Sequence, residues 1–561
     1  MNRSYVGVAG PRLALGARSA LAALSLSHPA RATSYRPARS GRVHVDDMRG
    51  SFSPLWMWVA GLAIVLWGID LDAPVTLSNR VVLRALAVTL ECAAAVLLTG
   101  RRRGPRYGLN SFYLGPWHIL GFGVSMGLAA IAFRAPQRGV LAALDYSSVL
   151  RAQALLSVAV PVWTLGYLMG PGRLVLRLGN RIAVAAAPKR DLLHCRLAVL
   201  WVVFLASVAA RITQIELGQF AYLADPAARA GGGAGYTYPL ALTGALGSGA
   251  LVIAAVEMIR NGNFAWRLTF LAQLAAQFVF GLLSGMKGQF AWTVLAVCAA
   301  VALTRGRIPV RWIVAGFVCL LLVVMPYNAA YRQLVRFQGE QLTATAAVHA
   351  MPEVMYTAVT GANANEDAVG ETLADSSSRL SGRIRSVDSL AFVVQKTPEV
   401  VPYRSPLELI SAPVLGLIPR ALWPGKPTRN DGYDFGQQYY GYGSKVYTSA
   451  GIGPQADLYR YGGVLPLLIG TVLIGALCRL VDETLHPARD PRLVALYLSL
   501  FMLFIRFETS IVALMLSLPI KIGTMILLCR LVYRAPRPAA GAGQGQPANC
   551  RSRSRSSARA V

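Results

Sequence analysis

The sequence predicts an all-helical protein that crosses a membrane about twelve times and carries one large segment outside the bilayer. Of its 561 residues, 55% are hydrophobic and only 14% are charged, and the mean hydropathy is positive. An ordinary soluble domain has about 25% charged residues. Apolar runs long enough to cross a bilayer recur along the chain, and clusters of basic residues alternate with them. These observations indicate a polytopic integral membrane protein.

Residues 1–50 form a basic arm ahead of the first apolar run and are rich in Arg, Ala and Ser. Arg12 and Arg18 interrupt its apolar stretch, which argues against a signal peptide. We expect a disordered arm without a catalytic role. Met48 stands just before the first span, so it stays open whether residues 1–47 are translated.

Twelve apolar runs are predicted to be membrane spans, nine before the large segment and three after it. They lie near residues 54–69, 81–99, 112–133, 152–169, 197–213, 239–259, 267–283, 290–304, 312–328, 464–480, 493–507 and 511–532. Transmembrane helices are therefore expected in residues 51–328 and 464–533, and the large segment covers residues 329–463.

The basic residues orient these spans. A loop rich in Arg or Lys follows each even-numbered span up to the tenth, as at Arg101, Arg196, Arg260, Arg305 and Arg489. Basic loops favour the cytoplasm, so both termini are predicted to be cytoplasmic and residues 329–463 extracytoplasmic. The net charge of +29 comes from these loops and the two tails. No compact basic domain is present, so nucleic acid is not an expected partner.

Cysteine usage argues against a disulfide framework or a metal site. None of the seven cysteines lies in residues 329–463, and no CxxC or Cys/His spacing typical of a metal site occurs. We therefore expect neither metal nor cofactor. Residues 534–561 are basic and of low complexity, which predicts a disordered cytoplasmic tail.

The long, polar segment contains a stretch that holds cations on a stiff backbone. A run from Arg379 to Pro398 predicts an amphipathic helix in which Arg383 forms either a solvated basic face or a phosphate contact. The following motif, LGLIPRALWPGKP, contains three prolines that remove backbone donors and prevent a regular helix. Arg420 and Lys426 are therefore expected on irregular, rigid backbone.

Aromatic residues follow this motif among glycines. They are Tyr433, Phe435, Tyr439, Tyr440, Tyr442 and Tyr447. Aromatic rings and hydroxyls suit the recognition of sugar rings, and cations suit pyrophosphate. An aromatic loop that packs on the membrane interface is the open alternative.

These residues resemble a known family. The pattern runs from Ile418-Pro419-Arg420 through Trp423-Pro424 to Lys426-Pro427, with a Tyr-x-x-Gly-Gly entry into the next span. It is similar to the O-antigen polymerase, or oligosaccharide repeat unit polymerase, family. The sequence SGMKG at residues 284–288 is similar to the family's SGxRG signature, although Lys287 replaces Arg. The resemblance covers roughly Leu55 to Val532.

The resemblance implies a membrane glycosyltransferase of GT-C-like architecture in the bacterial inner membrane. Such an enzyme polymerises undecaprenyl-pyrophosphate-linked repeat units at the periplasmic face, without a nucleotide sugar or metal. The product would be O-antigen of lipopolysaccharide, capsule or exopolysaccharide. Expected partners are the lipid-linked glycans, the bilayer and a chain-length regulator protein.

The resemblance also implies roles for individual residues. The catalytic set is Arg420, Lys426 and Asp434, with Asp388, Asp431 and Asp457 open as alternatives for the base. Expected substrate contacts are Lys287, Arg383, Trp423, Tyr439, Tyr440, Arg460 and Arg506.

Some of the charged residues have a simpler structural interpretation. Arg506 can alternatively pair with Glu508. Arg84 and Glu91 are expected to pair within span two, because residues seven apart share one helix face.

Three other functions stay open. A flippase or another transporter would have a similar number of spans but would not need the large aromatic segment, and no inverted repeat is visible. An O-antigen ligase has a similar plan, although His349 followed by Ala350 matches its histidine pattern poorly. A polyprenyl-phosphate mannosyltransferase would carry acidic residues such as Asp70 and Asp72 in a larger first loop.

Overall fold

The computed structural model describes residues 55–72, 75–101, 112–134, 137, 139–187, 194–221, 237–306, 308–328, 331, 349–356, 385–418, 423, 431–443 and 450–534. In these parts the regular structure is helical apart from one pair of two-residue strands. The all-helical prediction is therefore confirmed. The predicted arm at residues 1–50 and most of the predicted tail, residues 535–561, lie outside the described residues.

Apart from the helix Arg173–Ala186, which lies in the basic loop between two predicted runs, the helices before the large segment follow the predicted apolar runs. They are α1 (Leu55–Asp72), α2 (Leu77–Arg101), α3 (Leu114–Phe122), α4 (Tyr146–Met169), α5 (Arg173–Ala186), α6 (Leu197–Glu216), α7 (Thr237–Asn261), α8 (Phe264–Leu283), α9 (Lys287–Arg305) and α10 (Val310–Cys319). A π turn extends both α3 and α10, and α3 then continues as a 3-10 helix to Arg134.

Besides the helical residues 349–356, four shorter helices lie in the described part of the large segment, and three helices follow it. They are α11 (Val387–Lys396), α12 (Pro406–Leu417), α13 (Asp431–Tyr440), α14 (Pro454–Tyr459), α15 (Val464–Thr484), α16 (Val494–Phe504) and α17 (Ile511–Val532). Strand β1 (His194–Cys195) pairs antiparallel with β2 (Tyr533–Arg534).

Ten of the described helices are long and apolar enough to cross a membrane. The apolar helices at Leu55–Leu71 and Pro491–Phe504 coincide with two further predicted spans but are shorter. The protein is therefore a polytopic membrane protein. Crossings by the two shorter helices stay a prediction.

Small residues let the central helices approach closely. A side chain at Gly166 of α4 would meet the Val472 carbonyl oxygen of α15, and one at Gly475 would meet the Trp163 carbonyl oxygen of α4. Glycine at such crossings is common in membrane helix packing, because it brings the two backbones into contact. This contact fixes α4 and α15 as a rigid pair at the centre of the bundle.

The ends of the helices fall on two sides. Ile215 of α6, Phe280 of α8 and Tyr327 beyond α10 form one apolar cluster with Val354 of the large segment. The Tyr331 hydroxyl also donates to the Leu283 carbonyl oxygen at 2.8 Å. We call this side the segment end. The opposite side, where Cys195, Arg260 and Arg492 lie, is called the basic end.

At the basic end, Asp482 ties four parts of the chain together. Its carboxylate accepts hydrogen bonds from the backbone N–H groups of Leu114 and Gly115 at 2.7 and 2.9 Å. The hydroxyls of Tyr167 and Tyr497 donate to it at 2.8 and 2.9 Å. The carboxylate thus caps the first turn of α3, where backbone N–H groups have no helical acceptor.

The large segment contacts the bundle through the π turn of α3. The Ser386 N–H donates to the Ser125 carbonyl oxygen at 3.1 Å. A π turn disrupts the regular helical hydrogen bonds, so its carbonyls can accept bonds from outside. This contact positions α11 beside α4 and the end of α3.

Helix α12 corrects the expectation that the large segment is polar throughout. This apolar helix packs along α17, which has the length and composition of a span. Leu407, Ile410 and Val414 are exposed. Their spacing of three and four residues places them on one helix face. The chain therefore presents an apolar stripe immediately before the Ile418–Pro427 motif.

Candidate functional site

The first charged cluster of the segment end centres on Arg460, which is 1% exposed. Its Nη1 lies 3.1 Å from Asp457 Oδ1. The two residues are three apart at the end of α14, so their side chains meet on one face. The guanidinium also lies 5.4 Å from the ring centroids of both Phe435 and Tyr439 in α13. A buried charge needs such partners to offset the loss of water.

Arg404 and Asp431 extend this cluster. Arg404 Nη1 lies 3.4 Å from Asp431 Oδ1, and the Arg404 backbone N–H donates to the Arg460 carbonyl oxygen at 2.7 Å. The Ser510 hydroxyl donates to Asp431 Oδ2 at 3.3 Å. The cluster therefore connects the chain before α12 with α13, α14 and the loop before α17.

Burial raises the pKa of Asp457 to about 6, and the positive charge of Arg460 opposes this effect. The negative charge of Asp431 raises the pKa of Asp457 further. The Val512 N–H, which donates to Asp457 Oδ2 at 3.4 Å, favours the ionised form. Asp457 thus titrates near neutral pH, in the range useful for proton transfer.

The second cluster joins α11 to the end of α3. Arg385 Nε lies 2.6 Å from Asp388 Oδ1. The Arg385 guanidinium donates to Gln137 Oε1 at 3.1 Å and lies 4.2 Å from the ring centroid of Phe133. Burial raises the pKa of Asp388 to about 6, against the effect of Arg385. Burial also raises the pKa of Tyr440, and the nearby charge of Asp388 adds to that effect.

A pocket of about 340 Å³ lies between the helix ends on the same side. Its lining includes Arg211, Gln214, Gln219 and Gln289, and no carboxylate lines it among the described residues. The Arg211 guanidinium lies 5.2 Å from the Phe280 ring centroid and donates to the Gly244 carbonyl oxygen at 3.4 Å. We call this cavity the Arg211 pocket. It offers a positive charge and several amides, which suits an anionic or hydroxylated ligand.

The structure does not describe several of the predicted site residues. Arg420, Lys426 and Arg383 lie outside the described residues. The backbone of Lys287 begins α9, next to Met286 and near Gln289 of the Arg211 pocket, but its side chain is also outside them.

Three predicted residues have accessible positions. Trp423 is 39% exposed, and Asp434 and Tyr440 are half-buried on α13. The Tyr440 ring contacts those of Phe392, Phe435 and Tyr442.

Tyr439 and Arg460 are both buried. Tyr439 is 1% exposed, its hydroxyl is 2.8 Å from Thr397 Oγ1, and its ring stacks on Phe435 at 4.7 Å. Arg460 lies near the same two rings. These contacts hold α13 against α14, and the expected contact of both residues with substrate stays a prediction.

Arg506 is exposed beyond α16, and its guanidinium lies 4.8 Å from the ring centroid of Trp292 in α9. It thus connects the loop before α17 with the helix that Lys287 begins. This position keeps Arg506 accessible at the segment end.

The expected pair of Arg84 with Glu91 is wrong. Arg84 Nε instead pairs with Asp70 Oδ2 at 2.8 Å, and Glu91 accepts from Trp67 Nε1 at 3.0 Å. Seven helical residues span about 10.5 Å along the axis, so a neighbouring helix supplies nearer partners. Asp70 is fully buried, and its ion pair with Arg84 is a structural contact.

Sequence reasoning did not single out Arg211, Arg404 or Ser510. Arg211 carried a usable signal, because a charge within an apolar span is rare and often functional. Arg404 and Ser510 lie in short irregular stretches without a pattern that marks them. Among the described residues, no group of three or more His, Cys, Asp or Glu side chains is arranged to hold a metal ion.

The fold and these clusters define a helical membrane protein with buried ion pairs and a cationic pocket at one end. Residues 230–533 match the model of a domain family of unknown function, DUF8712. The match spans more than half of the chain, which therefore belongs to that family. No curated protein and no solved structure matches the chain.

Proposed function

We propose that the protein is a membrane glycosyltransferase of GT-C-like architecture that polymerises polyprenyl-pyrophosphate-linked oligosaccharide repeat units. The reaction takes place at the segment end, on the periplasmic side of the bacterial inner membrane. The sequence resemblance to repeat unit polymerases motivates this proposal, and two features of the segment end, the Arg211 pocket and helix α12, support it.

The Arg211 pocket is the observation that carries the proposal. It places one guanidinium and several side-chain amides at the ends of apolar helices. A pyrophosphate attached to a membrane-embedded polyprenyl chain has its charge at this depth. Arg211 would bind that charge, and Lys287 at the start of α9 would add a second cation.

Helix α12 supports a lipid-linked substrate. Its exposed apolar stripe and its packing on α17 hold the start of the Ile418–Pro427 motif next to an apolar surface. We propose Arg420 and Lys426 of that motif as further cations for the pyrophosphate.

The proposed reaction transfers the growing glycan. A hydroxyl oxygen of the acceptor unit attacks the anomeric carbon of the donor glycan, and the bond from that carbon to the pyrophosphate oxygen breaks. The acceptor proton passes to a carboxylate, for which half-buried Asp434 is the proposed base. Fixed cations stabilise the departing pyrophosphate.

A deletion of the gene in its native host tests the proposed function. We expect polyprenyl-linked single repeat units that can be labelled at the periplasmic face. Units confined to the cytoplasmic face would indicate a flippase. Long polymers still attached to the polyprenyl lipid would indicate a ligase. Either result would overturn the proposal.

Complementation with variants tests the pocket. Wild-type protein should restore the polymer ladder, and Arg211→Gln should not restore it at equal membrane levels. The matched control is Arg134→Gln, which removes an exposed arginine at the end of the helical run that α3 begins, outside the pocket. A normal ladder from Arg211→Gln would remove the pocket from the proposed site.

A further inference from the structure

A second cavity, of about 410 Å³, lies at the basic end and has no part in the proposed reaction. Its lining includes Glu257 and Arg260 of α7, Trp266 of α8, Arg492 and Tyr533. Cavities of this size can hold a small ligand. The cavity lies at the ends of helices that are long and apolar enough to cross a membrane, among them α7, α8 and α17.

The short β1–β2 ladder closes one side of this cavity. Cys195 pairs with Tyr533, and the Arg196 N–H donates to the Val532 carbonyl oxygen at 2.9 Å. The Tyr533 hydroxyl is buried and has no hydrogen-bond partner among the described residues. A buried hydroxyl without a partner is costly, so this group indicates a polar occupant beside it.

Charges of both signs line the cavity. Glu257 Oε1 lies 3.9 Å from Arg260 Nη1, and Glu257 Oε2 accepts from Asn261 Nδ2 at 2.9 Å. Arg492 Nε donates to both carboxylate oxygens of Asp490, which is outside the lining, at 2.8 and 3.0 Å. One carboxylate and two guanidiniums therefore line the cavity. A ligand with one positive and one negative group can pair with both signs, whereas a multiply charged anion would also face the Glu257 carboxylate.

We propose that this cavity binds the headgroup of a phosphatidylethanolamine-type lipid. Glu257 accepts the primary ammonium, and Arg260 and Arg492 bind the phosphate. The 3.9 Å contact between Glu257 and Arg260 is longer than a charged hydrogen bond, so Glu257 Oε1 can accept a further donor. Trp266 near the start of α8 and Tyr533 at the end of α17 complete the lining.

Native mass spectrometry of the full-length, delipidated protein tests this site, with three lipids that carry the same two glycerol acyl chains. Phosphatidylethanolamine, phosphatidylglycerol and N-acetylated phosphatidylethanolamine are compared. The last two keep the phosphate and lack the ammonium. We expect the wild-type protein to retain phosphatidylethanolamine about tenfold better than either, as the loss of one charged hydrogen bond predicts.

Two variants assign that preference to the cavity. Glu257→Gln should remove the preference for the ammonium, and Arg260→Gln should weaken retention of all three lipids. The control Arg177→Gln removes an exposed arginine of α5 outside the cavity and should leave retention unchanged.

Equal retention of the three lipids by the wild-type protein would overturn the proposal. So would a Glu257→Gln protein that keeps the preference. If either variant fails to fold, the comparison of the two phosphatidylethanolamine forms on wild-type protein still decides the question. None of these measurements uses glycan transfer, so their result is separate from that of the proposed function.

Discussion

Asp482 and Asp457 are both buried carboxylates, at opposite ends of the bundle, and they are held in different ways. Asp482 accepts four hydrogen bonds from uncharged donors, two on the backbone and two on tyrosines. Asp457 faces the Arg460 guanidinium and one backbone N–H. Arg460 Nε and Nη2 have no hydrogen-bond partner among the described residues.

The difference separates a scaffold from a functional region. Four neutral donors satisfy Asp482 and join α3, α4, α15 and α16, so this carboxylate serves stability. A buried ion pair contributes little net stability, because the cost of removing both charges from water offsets their attraction. Incompletely satisfied charges at the segment end therefore favour electrostatic function over stability there.

The largest effect is expected when the scaffold carboxylate is removed. Asp482→Ala leaves the Gly115 N–H and the Tyr167 hydroxyl without their acceptor, and it takes one of two acceptors from the Leu114 N–H and the Tyr497 hydroxyl. The expected cost is about 3 kcal/mol or more. We expect little monodisperse protein after extraction and a sharply lower melting temperature. Asp482→Asn, which keeps one acceptor oxygen, should retain more folded protein. Equal amounts of folded protein from Asp482→Ala and wild type would contradict the inference that Asp482 serves stability.

In a functional region, a substitution can abolish activity while the protein still folds and inserts into the membrane. Arg420→Ala is expected to abolish polymer while the protein still inserts, with single lipid-linked units accumulating. Arg420→Lys should restore little, because arginine binds a pyrophosphate bidentately and lysine only as a point charge. Gel analysis of polymer at matched membrane levels checks this. If Arg420 only caps a helix or pairs at the surface, the exchange to lysine will be nearly silent.

The spans were predictable, because the bilayer imposes a length and an apolar composition on each helix. The predicted span 152–169 ends where α4 ends, at Met169. The predicted span 464–480 begins where α15 begins, at Val464. Helix α12 was missed, because Pro413 and its position in a mostly polar segment obscured its apolar face. Only its packing on α17 made that face evident.

The charged clusters were less predictable, because their partners are far apart in the chain. Asp457 and Arg460 are three residues apart, and local spacing could suggest their pair. Arg404 and Asp431 meet only after α12 and α13 have folded, and no local pattern encodes that contact. The same reason explains the error at Arg84, whose true partner belongs to another helix.

A smaller effect is expected from the pH dependence of stability. Burial raises the pKa of Asp457 from 3.8 to about 6, so its protonated form is favoured in the folded state. The resulting stabilisation is fully present below pH 3.8 and is lost as the pH rises through 6, by about 3 kcal/mol. Asp457→Asn does not titrate and lacks this loss. The stability of wild type relative to Asp457→Asn should therefore fall between pH 4 and pH 7.

Melting temperatures of both proteins across that pH range provide the measurement. Glu399→Gln, an exposed carboxyl in the same segment, is the control and should keep a constant difference from wild type. A difference between wild type and Asp457→Asn that does not change with pH would show that Arg460 fully neutralises Asp457. The two buried carboxylates would then be alike in their electrostatics.

The smallest effect is expected from chelation of divalent ions, and it tests what neutralises the carboxylates of the segment end. Asp388, Asp431 and Asp457 each lie within 3.4 Å of an arginine nitrogen, so guanidiniums supply the counter-charge in the described structure. The large segment also has no Asp-x-Asp motif, a common arrangement of metal-binding carboxylates. Purified protein in liposomes should therefore form the same polymer ladder with EDTA as without it. Loss of the ladder with EDTA and its recovery with magnesium or manganese would contradict this prediction. In that case a metal ion would replace arginine as the partner of at least one carboxylate. Its charge would then dominate the electrostatics of the segment end.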